Sequence, residues 1–221
     1  MVIVFDLDDT LYDETEYVKS GFRQVARHLN ITYAIDEHQA YSQMLDILKQ
    51  KGRGNIFNEV LAAHGLLSKK HVRDCLSVYR LHHPQISLPE SAVQCLFRFK
   101  DYPTYIVTDG NKLVQFRKVQ ALGLFGKVKK VFITHRYGID KSKPSPYCFL
   151  KIQQLEKTTP DNILYIGDNA KKDFIGIKPL GFKTIRVRTG SYSEDWYSEA
   201  HEAHVIIDSL DELTPALINS L

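Results

Sequence analysis

The sequence predicts an α/β fold, a doubly wound parallel sheet with a helical bundle inserted after its first strand. Three observations carry this. Short apolar, β-branched runs recur along the chain, most of them separated by helix-like stretches. The long interval between the first two runs holds only helical patterns. The polar residues able to do chemistry fall immediately behind the runs, at the ends of strands where open parallel sheets keep their ligand crevice.

The runs are Val2–Phe5, Thr104–Val107, Val131–Ile133, Ile163–Ile166, Thr184–Val187 and Val205–Ile207. Runs apolar on both faces suit strands covered by helices on each side. Behind the first, Tyr17, Val18, Phe22, Val25, Ala26 and Leu29 form one helical stripe, and Met44, Leu45 and Leu48 a second. Phe57, Val60 and Leu61, ending at Gly65, make a third; Val72, Cys75, Leu76 and Tyr79 make a fourth. Residues 14–89 therefore read as an inserted helical bundle, with Pro84 and Pro89 bracketing the return to the sheet. Residues 1–13 and 90–221 read as the α/β core. The insert carries ten Lys/Arg against seven Asp/Glu, so the net charge of +3 lies within it. In the core, Val93, Leu96 and Phe97 predict one helix between Ser91 and Lys100. Leu113, Phe116, Val119 and Leu122 predict another, stopped by Gly123 in a left-handed conformation.

Composition narrows the function classes. At 221 residues, 43% apolar and 25% charged, the chain is ordinary globular protein, which excludes wholesale disorder. A surplus of +3 does not argue for a nucleic-acid partner. Cys75, Cys95 and Cys148 are scattered and contain no CxxC pair, which argues against a disulfide framework or a Cys-based zinc site. No apolar stretch approaches the roughly 20 residues a membrane helix needs. The run Val2–Phe5 ends at Asp6, unlike a secretory signal. The expected setting is the cytoplasm, with no membrane partner. The sequence leaves monomer and homodimer equally open.

Behind Val2–Phe5 stands Asp6-Leu7-Asp8-Asp9-Thr10; behind Thr104–Val107, Thr108-Asp109-Gly110-Asn111; behind Ile163–Ile166, Gly167-Asp168-Asn169, with Asp173 further on. A sheet that brings these ends together must neutralise their carboxylates, since like charges a few ångströms apart need a cation. An all-oxygen donor set suits Mg²⁺ better than Zn²⁺. Lys143 in Lys143-Pro144-Ser145-Pro146 offers a fixed positive charge on a stiff loop. Paired carboxylates, a magnesium ion, a hydroxyl and a lysine suit phosphoryl transfer. One carboxylate takes the phosphoryl group as an aspartyl-phosphate. Cations neutralise the transferring oxygens. A second carboxylate, Asp8, protonates the leaving alcohol and later takes a proton from water.

Asp6-x-Asp8-x-Thr10, Thr108, Lys143-Pro144 and Gly167-Asp168 followed by Asp173 stand in the order and strand context of the haloacid dehalogenase-like (HAD) superfamily, which the whole chain resembles. The resemblance implies a HAD-type Rossmann-like core with a C1-class cap. It implies Asp6 as nucleophile and metal ligand, and Asp8 as acid/base and, through its carbonyl, a second ligand. Thr108 and Lys143 would hold the phosphoryl group, Asp168 would bind Mg²⁺, and Asp173 would support the ion. Thr10 would steady the first turn, and Lys143 rather than Lys141 is the lysine in register. Asp109, Gly110 and Asn111 form the expected substrate-binding turn, Asp109 through its backbone. The superfamily's dehalogenases lack an acidic residue at the position of Asp8, so its presence favours phosphate esters.

The expected activity is thus Mg²⁺-dependent hydrolysis of a small soluble phosphate monoester: a sugar phosphate, a nucleotide or a phosphorylated acid. A phosphomutase of the same fold is the nearest alternative. A phospho-accepting signalling module would lack both Asp8 and the cap. In the insert, Gly52-Arg53-Gly54 reads as a flexible link between two helices, and Arg53 is the candidate contact to the substrate's leaving group. Asp9 and Asp13 read as solvated or capping residues. His201-Glu202-Ala203-His204 has the wrong spacing for a zinc-protease motif and reads as a solvated helix face.

Overall fold

In the computed structural model, which describes residues Met1–Leu221, strands β1 (Val2–Phe5), β2 (Thr104–Thr108), β3 (Lys130–Ile133), β4 (Ile163–Gly167), β5 (Lys183–Val187) and β6 (Val205–Ile207) follow the six apolar runs to within one residue at either end. They form one fully parallel sheet in the order β3-β2-β1-β4-β5-β6. The order reverses at β1, the strand that carries Asp6. Strands β1, β2 and β4 are buried at every position, as central strands under helices must be. Edge strand β6 leaves Ile206 exposed.

The helices are α1 (Glu14–Tyr33), α2 (Glu37–Lys51), α3 (Ile56–Ala63), α4 (Lys69–Leu81), α5 (Glu90–Arg98), α6 (Lys112–Ala121), α7 (Tyr147–Glu156) and α8 (Pro215–Ser220). The chain divides into two compact units, Met1–Glu14 with Ser87–Leu221, and Thr15–Ile86. The second is wholly helical and has its own apolar core, in which Phe22, Val25, Leu29, Met44, Phe57, Val60, Leu61 and Cys75 are buried together. Two of its helix starts are locally encoded. Asp36 accepts from the Gln39 amide at the head of α2, and Ser68 from the His71 amide at the head of α4.

In the first unit, β1, β2, β3, β4, α7 and the segment behind β4 share a core that includes Val4, Tyr105, Phe132, Phe149, Tyr165, Phe174 and Phe182. Gly123 stops α6 at φ +62°, as the sequence predicts. The helices before and after β2 turn differently from the expected stripes. On α5, Ala92 and Cys95 are buried while Val93 and Phe97 face out. Small side chains allow the close approach, and Arg98 reaches the carbonyls of Leu210 and Leu213 at 3.2 and 2.6 Å. On α6, Leu113 and Phe116 are exposed, and Gln115, Lys118 and Val119 are buried instead. The cause lies at the carboxyl end of the sheet, where Asp8, Thr108 and Glu14 take up those polar side chains. His201-Glu202-Ala203-His204 forms no helix; Glu202 turns inward to the buried Arg186 at 2.8 Å. No helix is long and apolar enough to cross a membrane.

Candidate active site

The ends of β1, β2 and β4 bring the sequence-predicted groups into one place. The Asp6 amide continues the β1–β4 pairing by donating to the Ile166 carbonyl at 2.8 Å, which seats its side chain just beyond the sheet edge. One carboxylate oxygen from each of Asp6, Asp168 and Asp173 lies within 4.8 Å of the others, and all three residues are buried. Lys143, also buried, places its Nζ 2.9 Å from Asp6 and 2.8 Å from Asp173, and it bonds the Tyr165 hydroxyl at 2.9 Å. That hydroxyl in turn donates to Asp173 at 3.2 Å. Lys141 instead pairs with Asp140, at 2.8 Å.

Electrostatics follows from this crowding. Burial, reinforced by Asp173, pushes Asp6 up to about 7 against the pull of Lys143. Burial, with Asp173 and Asp6 beside it, pushes Asp168 up to about 9. Burial opposes the charge of Lys143, yet Asp173 and Asp6 outweigh it and hold the ammonium well above its usual range.

Asp8, two residues beyond Asp6, has donors of its own. Its Oδ1 accepts from the Tyr12 hydroxyl and from Lys118 Nζ, both at 2.7 Å, and its Oδ2 from Gln115 Nε2 at 2.7 Å. Burial raises the Asp8 carboxyl, but Lys118 and the three donated bonds outweigh it and leave it below the usual range. Gln115 also donates to the buried Thr108 hydroxyl at 2.6 Å, tying β2 to β1.

Other groups differ from expectation. Thr10 donates out of its own turn, to Asp168 Oδ1 at 3.3 Å. Asp9 is buried: its carboxylate accepts from the amides of Glu14 at 2.8 Å and Ser191 at 3.2 Å, and its carbonyl accepts from the Thr189 hydroxyl. Asp109, expected to act by its backbone, uses its carboxylate. That group accepts from Thr134 Oγ1 at 2.8 Å and the Lys143 amide at 3.1 Å, and pairs with Lys172 at 3.2 Å. It therefore anchors the lysine loop. The Asn111 side chain caps α6 by accepting from Leu113 and Val114, and Gly110 takes φ +133° between them and the strand. Arg53 lies in the other unit, exposed between α2 and α3.

The lysine loop and the segment after Asp173 are in close contact. A Cβ at Gly176 would stand 1.6 Å from the Pro144 carbonyl oxygen. Gly176→Ala is therefore expected to push the Lys143 loop away and cost about 1–3 kcal/mol. Urea unfolding of the variant beside wild type measures this.

Residues 1–181 match the family model of the haloacid dehalogenase-like hydrolases. The chain belongs to that family. Among HAD-like hydrolases it is 28% identical to the glyceraldehyde 3-phosphate phosphatase of Pyrococcus furiosus, over 98% of this chain and 92% of that one. It is 27% identical to the enzyme of the same name from Methanocaldococcus jannaschii, over 98% of this chain and 96% of that one. The HAD-hydrolase YfnB of Bacillus subtilis, solved with bound magnesium, superposes with a TM-score of 0.70 at 19% identity, covering 99% of this chain and 98% of that one.

Tyr12, Tyr165, Gln115, Lys118 and Lys172 are the site residues that sequence reasoning missed. For α6 a signal existed: Gln115, Lys118, Val119 and Leu122 are spaced as one helical face, with two long polar side chains on it.

Proposed function

We propose that the protein is a Mg²⁺-dependent phosphatase that hydrolyses a small phosphate monoester, a sugar phosphate foremost, through an aspartyl-phosphate on Asp6. The observation that carries this reading is the buried Asp6–Asp168–Asp173 cluster, balanced by Lys143, with Asp8 two residues beyond Asp6 in the chain. Three hard carboxylate donors with no His or Cys among them fit Mg²⁺. Asp6 and Asp168 would hold it, with the Asp8 carbonyl as a further ligand and Asp173 in support. When bound, the ion would neutralise charge on the oxygens of the transferring phosphoryl group.

In this reading an Asp6 oxygen attacks phosphorus and the bond to the leaving alcohol breaks. Lys143 holds Asp6 and, with Thr108, orients the phosphoryl oxygens. Asp8 protonates the departing oxygen, then takes a proton from the water that releases phosphate from Asp6. The relatives named glyceraldehyde 3-phosphate phosphatase support a small sugar phosphate as the substrate class. The helical unit Thr15–Ile86 would serve as the cap, since it enters the chain directly behind the Asp6–Asp8 turn. Arg53 would meet the leaving group. Arg53→Ala is then expected to raise KM for the preferred ester and to spare an aryl phosphate; equal effects on both would remove that role.

The direct test is phosphate release from a panel of phosphate monoesters with and without Mg²⁺. Metal-dependent turnover with a preference for triose or other small sugar phosphates is expected. No release from any ester would overturn the reading, and turnover needing a bisphosphate activator would favour a phosphomutase.

A second test uses pH. Asp6 and Asp168 titrate at about 7 and about 9 in the folded protein, above the 3.8 of a free carboxylate. Folding therefore takes up protons, and stability declines as pH rises across that window. A dication holds these groups as anions and displaces the protons, so it binds better at higher pH. Mg²⁺ is expected to raise Tm more at pH 8 than at pH 5.5. A gain independent of pH would argue against binding at these carboxylates.

A further inference from the structure

Lys118 is a buried lysine on a helix face that its neighbours' hydrophobicity would have turned outward. Its Nζ stands 2.7 Å from Asp8 Oδ1 and 2.9 Å from Glu14 Oε1. Asp8 thus has three donors: Lys118 and Tyr12 on Oδ1, and Gln115 on Oδ2. A carboxylate offers about four acceptor positions. These bonds occupy both positions of Oδ1 and one of Oδ2, so a single acceptor position on Oδ2 is left. The amide that fills the other Oδ2 position also bonds the Thr108 hydroxyl at 2.6 Å, so the oxygen is oriented against the end of β2.

We propose that Lys118 is a positioning residue that, with Gln115 and Tyr12, presents Asp8 to the site as a proton acceptor through that one position on Oδ2. The inference rests on the reading of Asp6 and Asp8 proposed above and assigns the arrangement to the second half of the reaction. There the water oxygen forms a bond to phosphorus, the bond from phosphorus to Asp6 breaks, and the water proton passes to Asp8 Oδ2. Inorganic phosphate leaves and the Asp6 carboxylate is restored. Lys118 touches neither water nor phosphate; it acts by holding Oδ1, so that Oδ2 alone turns to the reaction. Without it Oδ1 keeps only the Tyr12 bond, a second acceptor position opens, and release of phosphate from Asp6 slows.

The test is rapid-mix kinetics with p-nitrophenyl phosphate and Mg²⁺, whose good leaving group makes the first step independent of acid help. Lys118→Met is expected to give a burst of nitrophenol approaching one per active site. A steady rate lowered about 10–100-fold should follow, the scale of a misplaced catalytic group. Lys118→Arg should recover most of the steady rate, because it keeps the charge beside Oδ1. Lys118→Met/Glu14→Gln, which also neutralises the second carboxylate that Lys118 pairs with, should show the same burst if the single variant folds poorly. Wild-type kinetics in Lys118→Met would overturn the inference. So would a burst and steady rate that fall in proportion, the mark of a structural role alone. Asp8→Asn run alongside separates the two levels. If it shows no slowed second step, the reading of Asp8 fails; if it does and Lys118→Met does not, only the role of Lys118 fails.

Discussion

Asp6→Asn is expected to lower phosphate release by at least about 10⁴-fold, because it removes the nucleophile rather than a group that assists one. The physical surroundings make this variant a clean experiment. Asp6 is buried within 4.8 Å of the Asp168 and Asp173 carboxylates, and burial pushes it up to about 7. An amide of the same shape relieves repulsion among the three. The variant should therefore fold normally and, without Mg²⁺ at pH 8, melt no lower than wild type. Its response to Mg²⁺ should shrink, since one carboxylate donor is gone. Loss of activity together with retained or raised Tm identifies a chemical role. Activity persisting in both Asp6→Asn and Asp6→Ala would sink the mechanism.

Lys143→Met carries the largest expected effect on stability. The ammonium is buried and pairs with Asp6 and Asp173 at 2.9 and 2.8 Å, so its removal leaves clustered carboxylates in the interior without the cation they bond directly. Breaking a buried ion pair from one side costs about 3–5 kcal/mol. The cost should be greater at pH 8 than at pH 5.5, because Asp6 and Asp168, at about 7 and about 9, take up protons as pH falls and need the lysine less. Asp6→Asn/Lys143→Met should lose less than the sum of the single changes, since the two side chains share one interaction. Urea unfolding of the four proteins at both pH values measures this. A pH-independent loss would mean that packing of the lysine stem, rather than its charge, carries the stability. Phosphate release should fall in Lys143→Met whatever the pH, as the charge facing the phosphoryl group is lost.

How much of this was legible follows the range of the forces involved. The strands could be read because an apolar run between polar stops is a local pattern, and Asp6, Thr108 and Asp168 because each follows its strand within one or two residues. The expected outward face of α6 was wrong because Gln115 and Lys118 bury themselves against Asp8 and Thr108, residues from two other strand ends. Helical spacing alone gives two candidate faces there, and the apolar one was the poorer guide. The same holds for Asp9, read as solvated or capping. It is buried, and besides capping α1 it holds a loop about 180 residues away.

The sequence by itself determined the parallel α/β class, the helical character of the insert it placed at residues 14–89 and the identity of the acidic, hydroxyl and lysine groups at the strand ends. Periodicity and residue chemistry act over a few positions and survive without a fold. Only the tertiary structure decided which donors those groups meet: Lys143 on Asp173 as well as Asp6, the Asp109 carboxylate on the lysine loop, Thr10 on Asp168, and Lys118, Gln115 and Tyr12 on Asp8. Such pairings depend on distances of a few ångströms between segments far apart in the chain. They are settled by which buried polar groups remain to be satisfied once the sheet has formed.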